Sequence, residues 1–333
     1  AHERADEYSL LAIDAYTRGG FEQETVAAKQ RFVDDFGVTS DYWAQADEDT
    51  RARLRPRLSE YLDQLARYEH ARGLATDSAS AAGAHQASLL RAAQGYEQYV
   101  ATAPDDSRAA EMIFLRGEAL YEAADFRGAV SAYETVAYQY RDQTYGAKAA
   151  YAAVLTYDRL LTALGAGEEQ AGGAPSEPAE RPALDAIYEA KLASVLLFAE
   201  TYPQHPQLEA VLAQSASQQL QRQNREAAIQ LASRVDAGAG EKEQGISALL
   251  VQGQANFELE NYAAAESAYS SALRLIEEGD PRHGQVEDRL AASVYRQGEG
   301  ALAAGEQRVA IDHFLRLGVV APGSTFAVQG QYD

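Results

Sequence analysis

Apolar residues recur at spacings of three and four along most of the chain, which predicts amphipathic helices arranged in pairs. The clearest pair runs from Ile113 to Arg141 and is divided by a tight turn at residues 123–126. Gly117 lies in its first helix, at a place that we expect to be too crowded for a side chain. Ala129 and Tyr133 lie in its second helix, four residues apart and therefore on one face.

The same spacing recurs further along the chain. If Gly117 is numbered position 8 of a repeat, then Ala129 is position 20, Tyr133 is position 24 and Val136 is position 27. Residues at positions 8, 20, 24 and 27 of the other copies are Gly253, Ala265, Tyr269 and Ala272; Gly298, Ala310, Phe314 and Leu317; and, in a weaker copy, Ala216, Ala228, Ala232 and Val235. Another second helix places Ala92, Tyr96 and Tyr99 at positions 20, 24 and 27. The pattern therefore predicts an array of helix pairs in one register.

A small residue at 8, Ala at 20 and an aromatic at 24, over ~34 residues, resembles the tetratricopeptide repeat (TPR) family. The resemblance implies an all-α fold, a right-handed α-α superhelix or TPR-like solenoid of antiparallel helix pairs. It also implies that positions 8 and 20 face each other and that the ring at 24 fills the wedge between repeats. Two features depart from the family pattern. Position 4 is Ile113, Leu249 or Val294 instead of the usual Trp, and position 32 of the clearest copy is Arg141 instead of Pro.

The chain divides by pattern into three parts. Residues 1–104 are predicted to form degenerate TPR-like helical pairs, beginning with a pair at 3–36 that turns at Gly19-Gly20. Asp41 to Trp43 are expected to cap the next helix, which is predicted to have Pro56 in its first turn and to run to about Arg72. Residues 73–83 are predicted to be a loop.

Residues 105–202 are predicted to hold TPR-like repeats with a flexible insertion at 165–182, a segment rich in Gly, Pro and Glu. The insertion lies between two predicted helices, 146–164 and 184–202, and is either a tolerated surface loop or a binding arm. Residues 203–333 are predicted to be C-terminal repeats, truncated before a further repeat, because the last eleven residues resemble the opening of another helix.

Composition narrows the class of partner. The chain has 333 residues and a formal net charge of -21, so a nucleic acid partner would be repelled. It has no cysteine, which removes thiolate chemistry but fits the cytosol and the periplasm equally well. No apolar run approaches the ~20 residues of a membrane helix, so no membrane span is expected. No signal peptide is visible, and we expect the chain to be either cytoplasmic or a fragment that begins after its signal.

Catalytic and cofactor motifs are missing from the sequence. The six histidines form no HExxH or similar pair, and no phosphate-binding glycine motif or GxSxG is present. We therefore expect no catalytic, metal or cofactor site. In TPR-like proteins, partners bind the concave face through first-helix residues near positions 2, 5, 9 and 12. The residues carried over as the partner-binding site are Phe114, Glu118, Tyr121, Leu250, Gln254, Phe257, Tyr295, Arg296 and Glu299. This acidic and aromatic set favours a protein or peptide partner of basic character.

The function predicted from these observations is a non-enzymatic scaffold for protein–protein interaction. The Ala-rich repeats and the ending Tyr-Pro-Gln-His-Pro resemble bacterial cell-envelope TPR proteins, including outer-membrane assembly and polysaccharide-export components. That resemblance implies a periplasmic or outer-membrane-associated location. The alternatives are a cytoplasmic regulatory TPR module of a larger signalling protein and an α/α helical carbohydrate-active enzyme. The oligomeric state is left open.

Overall fold

The computed structural model describes residues 5–75, 82–165, 181–237, 241–322 and 324, and within these ranges the chain forms helices and no strand. This confirms the all-α class. The α-helices are α1 Ala5–Gly19, α2 Glu22–Phe36, α3 Asp41–Gln45, α4 Glu48–Leu74, α5 Ala82–Thr102, α6 Ala109–Glu122, α7 Phe126–Glu134, α8 Gly146–Ala163, α9 Arg181–Thr201, α10 Leu208–Gln221, α11 Arg225–Ala232, α12 Lys242–Glu258, α13 Tyr262–Leu275, α14 His283–Ala303 and α15 Gln307–Val320. A π-helical segment, Thr135–Tyr140, continues α7.

The helices fall into two compact units, Ala1–Ser194 and Val195–Asp333, so the boundary lies within α9. In each unit, consecutive helices pack as pairs. The predicted division at residues 104 and 202 stays a prediction.

The turn inside each pair has one geometry. In four pairs, the residue seven positions after position 8 has a left-handed backbone conformation; these residues are Ala124, Gln223, Glu260 and Gly305. Gly20 and Gly165 have the same conformation at the turn of two further pairs. The next N–H donates to the carbonyl oxygen five residues earlier, at 2.8 to 3.1 Å, in the pairs that begin with α1, α6, α10, α12 and α14. This is the Schellman ending of a helix, in which the crossed bond satisfies a terminal carbonyl. The register proposed from side-chain spacing is therefore present in the backbone.

Glycine at position 8 is required by a ring in the same pair. A Cβ atom at Gly117 would lie 2.6 Å from Cε1 of Tyr133. The same approach is 2.5 Å between Gly253 and Tyr269. It is again 2.5 Å at Gly298, where the ring belongs to Phe314 at position 24. The ring at position 24 therefore supplies the nearest contacts of position 8, and the predicted approach of position 8 to the alanine at position 20 stays a prediction.

Positions 20, 24 and 27 form the core, as predicted. In the first copy, Ala129, Tyr133 and Val136 are each at most 2% exposed. Their equivalents in the other copies, including the weak copy on α10 and α11, are also buried. In the second unit, Tyr269 and Phe314 share one apolar cluster with Val286 and Leu290 of α14, so the rings also contribute to packing between pairs.

One pair replaces the glycine–ring contact with two charges. Asp158 of α8 stands seven residues before Gly165, at the place that Gly117 occupies before Ala124. Its Oδ1 is 2.6 Å from Nζ of Lys191 in α9. The lysine is only 3% exposed, and burial lowers its pKa while Asp158 opposes that shift. The α8–α9 pair is therefore held by a desolvated ion pair as well as by its apolar cluster, which includes Tyr157 and Tyr188.

Three local predictions in the first unit need correction. Asp41 to Trp43 do not cap α4 but form α3, with the Oγ of Ser40 accepting a hydrogen bond from the Trp43 N–H at 3.1 Å. Helix α4 begins at Glu48, because the Asp47 side chain accepts from the Thr50 N–H at 2.8 Å. Pro56 therefore lies inside α4, beyond the first turn. The helix also continues past Arg72 to Leu74, and α5 begins at Ala82, so both ends of the predicted loop at 73–83 are helical, while residues 76–81 lie outside the described residues.

The π-helical segment explains the missing proline at position 32. Arg141 follows Tyr140 with a left-handed backbone, and its N–H donates to the Val136 carbonyl at 3.1 Å. The helix is thus ended by its own backbone, so that no proline is needed. Most of the predicted insertion at 165–182 and the predicted helix opening at the C-terminus lie outside the described residues, although Arg181 and Pro182 belong to α9.

Candidate partner-binding face

The predicted site residues of the first unit lie on one side of α6, at intervals of four and three residues, and we call Phe114, Glu118 and Tyr121 the partner face of this unit. All three side chains are half-buried. The Phe114 ring contacts those of Tyr133 and Tyr145, with centroids 5.7 and 5.2 Å apart. These contacts fix the orientation of the ring and leave part of it exposed to solvent.

Glu118 is fixed by the core ring beneath it. The Tyr133 hydroxyl donates a hydrogen bond to Oε1 of Glu118, and burial together with this carboxylate raises the pKa of the tyrosine. The Tyr121 ring lies edge-on to Phe126 at 5.6 Å. A carboxylate and two aromatic rings are therefore held in defined positions on one helix, without depending on a partner.

Helix α4 adds groups that the sequence pattern does not reveal. The Arg67 guanidinium bridges Asp63 of its own helix and Glu111 of α6, at 2.7 and 2.6 Å. Burial lowers the pKa of His70, against the opposing effect of Glu118 and Glu122. His70 also lies 3.2 Å from the Tyr96 hydroxyl. The sequence pattern does not indicate these residues, because the first-helix positions of the repeat were not assigned on α4.

Burial disfavours the charged form of His70, and the nearby Arg67 guanidinium is already bound by two carboxylates. Glu118 and Glu122 then give the partner face a negative potential. A half-exposed ring beside a carboxylate suits the ammonium or guanidinium group of a basic side chain.

The predicted site residues of the second unit lie on α12 and α14. Leu250 packs on the apolar cluster of this unit, and the Phe257 ring contacts Tyr262 at 5.3 Å. The Gln254 amide donates to Glu258 at 2.7 Å, and its oxygen lies 3.4 Å from the Tyr269 hydroxyl.

On α14, the Tyr295 ring contacts Phe314 at 5.4 Å, and Arg296 donates to Glu299 at 2.8 Å. Tyr295 and Glu299 are half-buried and Arg296 is exposed. Each predicted site residue thus has a neighbour of its own, and its role toward a partner stays a prediction.

Two wider observations complete the description. Among the side chains that the structure describes, no group of three or more His, Cys, Asp or Glu residues is placed to hold a metal ion. No described helix combines the length and the apolar character that crossing a membrane requires.

A scan against protein-family models finds no match to this chain, and a search of curated proteins finds none either.

Proposed function

We propose that this chain is a non-enzymatic scaffold for protein–protein contacts, built as a TPR-like solenoid, and that its partner face holds a basic polypeptide. The repeated contact between position 8 and the ring at position 24 supports the TPR-like register. The observation that carries the binding proposal is the fixed set of Phe114, Glu118 and Tyr121, in a chain whose formal charge is -21.

The chemistry of the site favours a cation. Glu118 is oriented by Tyr133, so that a bound ammonium group would meet a carboxylate that has already lost much of its conformational freedom. The rings on either side can contact the aliphatic part of a lysine or arginine side chain. A location at the bacterial cell envelope is part of the proposal and rests on the resemblance alone; fractionation of the source cells tests it.

The binding proposal is tested with a fluorescently labelled peptide of alternating lysine and alanine, measured by anisotropy. We expect the double variant Glu118→Gln, Tyr121→Ala to bind this peptide about tenfold more weakly, which corresponds to 1.4 kcal/mol. The matched control is Glu189→Gln, Tyr140→Ala, which makes the same chemical changes at exposed places on α9 and the π-helical segment. Equal weakening in both double variants would show only a general charge effect and would refute the assignment of the face.

A further inference from the structure

A groove lies between α2 and α5 in the first unit, and α4 supplies most of its floor; we call it the α2–α5 groove. Its volume is about 610 Å³, and its lining residues fall within 23–34, 62–72 and 91–98. Sites that hold small ligands commonly measure roughly 300–1,000 Å³. The groove is therefore large enough for a short stretch of polypeptide.

The floor of the groove consists of apolar and small residues. Leu62, Leu65 and Ala66 of α4 are at most 7% exposed. Gly95 of α5 lies so close to them that a Cβ atom there would be 2.9 Å from Cβ of Ala66. Tyr68 also lines the groove and keeps 48% of its surface exposed. An apolar side chain of a ligand can therefore lie over this floor and against a ring.

The two sides of the groove carry side-chain amides. Gln23 and Gln30 line it from α2, and Gln94 and Gln98 line it from α5. Within the described part of the chain, the side-chain amides of Gln23, Gln94 and Gln98 have no hydrogen-bond partner. A glutamine amide offers donors and an acceptor, as a peptide group does, so that the two can pair in both directions.

The spacing of these amides fits an extended chain. Four residues separate Gln94 from Gln98, which is about 6 Å along a helix. Peptide groups on the same side of an extended chain recur every two residues, at about 6.6–6.8 Å. Seven residues separate Gln23 from Gln30, and this distance of about 10.5 Å corresponds to about three extended residues. An extended stretch of three or four residues can therefore meet amides on both sides of the groove.

The charges of the groove cancel within it. The Glu69 carboxylate is bound by Arg72 and by Arg91, at 3.4 and 2.9 Å. Asp34 accepts a hydrogen bond from the Gln30 amide at 2.9 Å. Two carboxylates and two guanidinium groups line the groove, so its formal charge is zero in a chain whose formal charge is -21. An uncharged ligand complements such a groove.

The α2–α5 groove is separate from the partner face. Leu62, Leu65 and Glu69 follow one another at intervals of three and four residues and so share one face of α4. Arg67 and His70 lie on another face of that helix, where they approach Glu111 of α6 and Tyr96 of α5. A ligand in the groove therefore need not touch the residues assigned to a basic partner.

We propose that the α2–α5 groove binds three or four residues of an uncharged, extended polypeptide segment. Its peptide groups pair with the glutamine amides, and one of its apolar side chains lies against Tyr68. Recognition through peptide groups accepts many sequences, provided that the segment is extended. Because the ligand carries no charge, its affinity should be the same at low and at high salt, whereas a basic peptide on the partner face should bind more weakly as salt is added.

The test is isothermal titration calorimetry of the full chain with the peptide Ser-Leu-Ser-Leu-Ser, blocked at both ends so that it is uncharged. We expect the double variant Gln94→Ala, Gln98→Ala to bind about tenfold more weakly, because two hydrogen bonds are lost. Ala27→Trp, at an exposed place that lines the groove, should abolish binding by filling it. The matched control is Gln214→Ala, Gln221→Ala, at two exposed places on α10, and it should bind like the unmodified chain. Circular dichroism confirms that each variant is folded.

Further titrations identify the site and the class of ligand. The same peptide with both leucines N-methylated has lost two backbone donors and should bind at least about tenfold more weakly. Glu118→Gln, Tyr121→Ala changes only the partner face and should leave binding of the uncharged peptide unchanged. The proposal is overturned if the unmodified chain does not bind the peptide, if the two glutamine double variants bind it equally well, or if N-methylation has no effect. Loss of binding in the partner-face variant, or binding of maltotriose in place of the peptide, also overturns it.

Discussion

Two glycines in α14 should respond in opposite ways to the same substitution. A Cβ atom at Gly298 would lie 2.5 Å from Cε1 of Phe314, whereas one at Gly300 would have no neighbour within 4 Å. Phe314 is 8% exposed and belongs to the apolar cluster of its unit, so its ring cannot move aside without disturbing that cluster.

The magnitudes follow from two effects. Replacing glycine by alanine inside a helix stabilises it by about 1 kcal/mol, and both variants gain this. Overpacking a buried site costs about 1–3 kcal/mol, and only Gly298→Ala incurs it. The difference in unfolding free energy between the two variants therefore measures the overpacking alone. We expect Gly300→Ala to be more stable than the unmodified chain and Gly298→Ala to be less stable.

Urea unfolding followed by circular dichroism provides the measurement, with both variants compared at the same transition. Equal shifts in the two variants would mean that the glycine at position 8 is not selected by the ring at position 24. A shift to higher urea that is larger in Gly298→Ala than in Gly300→Ala would refute the packing argument outright.

Three other predictions address single contacts. Tyr133→Ala should lower the free energy of unfolding by about 3 kcal/mol or more. Tyr133→Phe loses only the hydrogen bond to Glu118 and should lower it by about 1 kcal/mol. A loss under about 1 kcal/mol for the alanine variant would place the residue outside the core. Asp158→Ala should destabilise the chain by about 3 kcal/mol, because it leaves the buried Lys191 without this carboxylate. Lys191→Met should be nearly neutral in thermal unfolding. A larger loss in Lys191→Met than in Asp158→Ala would contradict the burial of the lysine. Arg282 lowers the pKa of Asp280 from 3.8 to about 2. The stability that this carboxylate contributes is therefore present above pH 3.8 and is lost as the pH falls toward 2. Carbon-detected NMR titration should show the Asp280 pKa returning toward 3.8 in Arg282→Ala.

The sequence was sufficient for the helical class, for the pairs and for the buried positions, because spacing alone determines which side chains share a helix face. It could not identify the partner of Gly117, since the distance to Tyr133 depends on how the two helices cross. Pro56 suggests a helix start that is too late, because the Asp47 side chain caps α4 nine residues earlier. The Asp158–Lys191 pair was not found, because the segment between its two helices hides their common register.

The site was predictable only in part. Repeat positions indicated Phe114, Glu118 and Tyr121, but not that Tyr133 orients the carboxylate. His70 and Arg67 belong to α4, where the repeat positions were not assigned, so their approach to α6 follows from packing and not from spacing.

The contact between position 8 and position 24 joins two residues of the same helix pair. This matters for what would happen if a pair were duplicated within the array. A duplicated α6–α7 pair would carry both Gly117 and Tyr133, and its internal fit would be inherited intact. The residues that pack against the next pair would not keep their fit. Val130 packs against apolar residues of α8, whereas Glu266 accepts a hydrogen bond from Gln297 of α14. After duplication, the residues at position 21 and their neighbours must therefore change before the new pair is fully accommodated. The interior of each pair is thus self-contained, whereas the fit of a pair to its neighbour depends on its place in the chain.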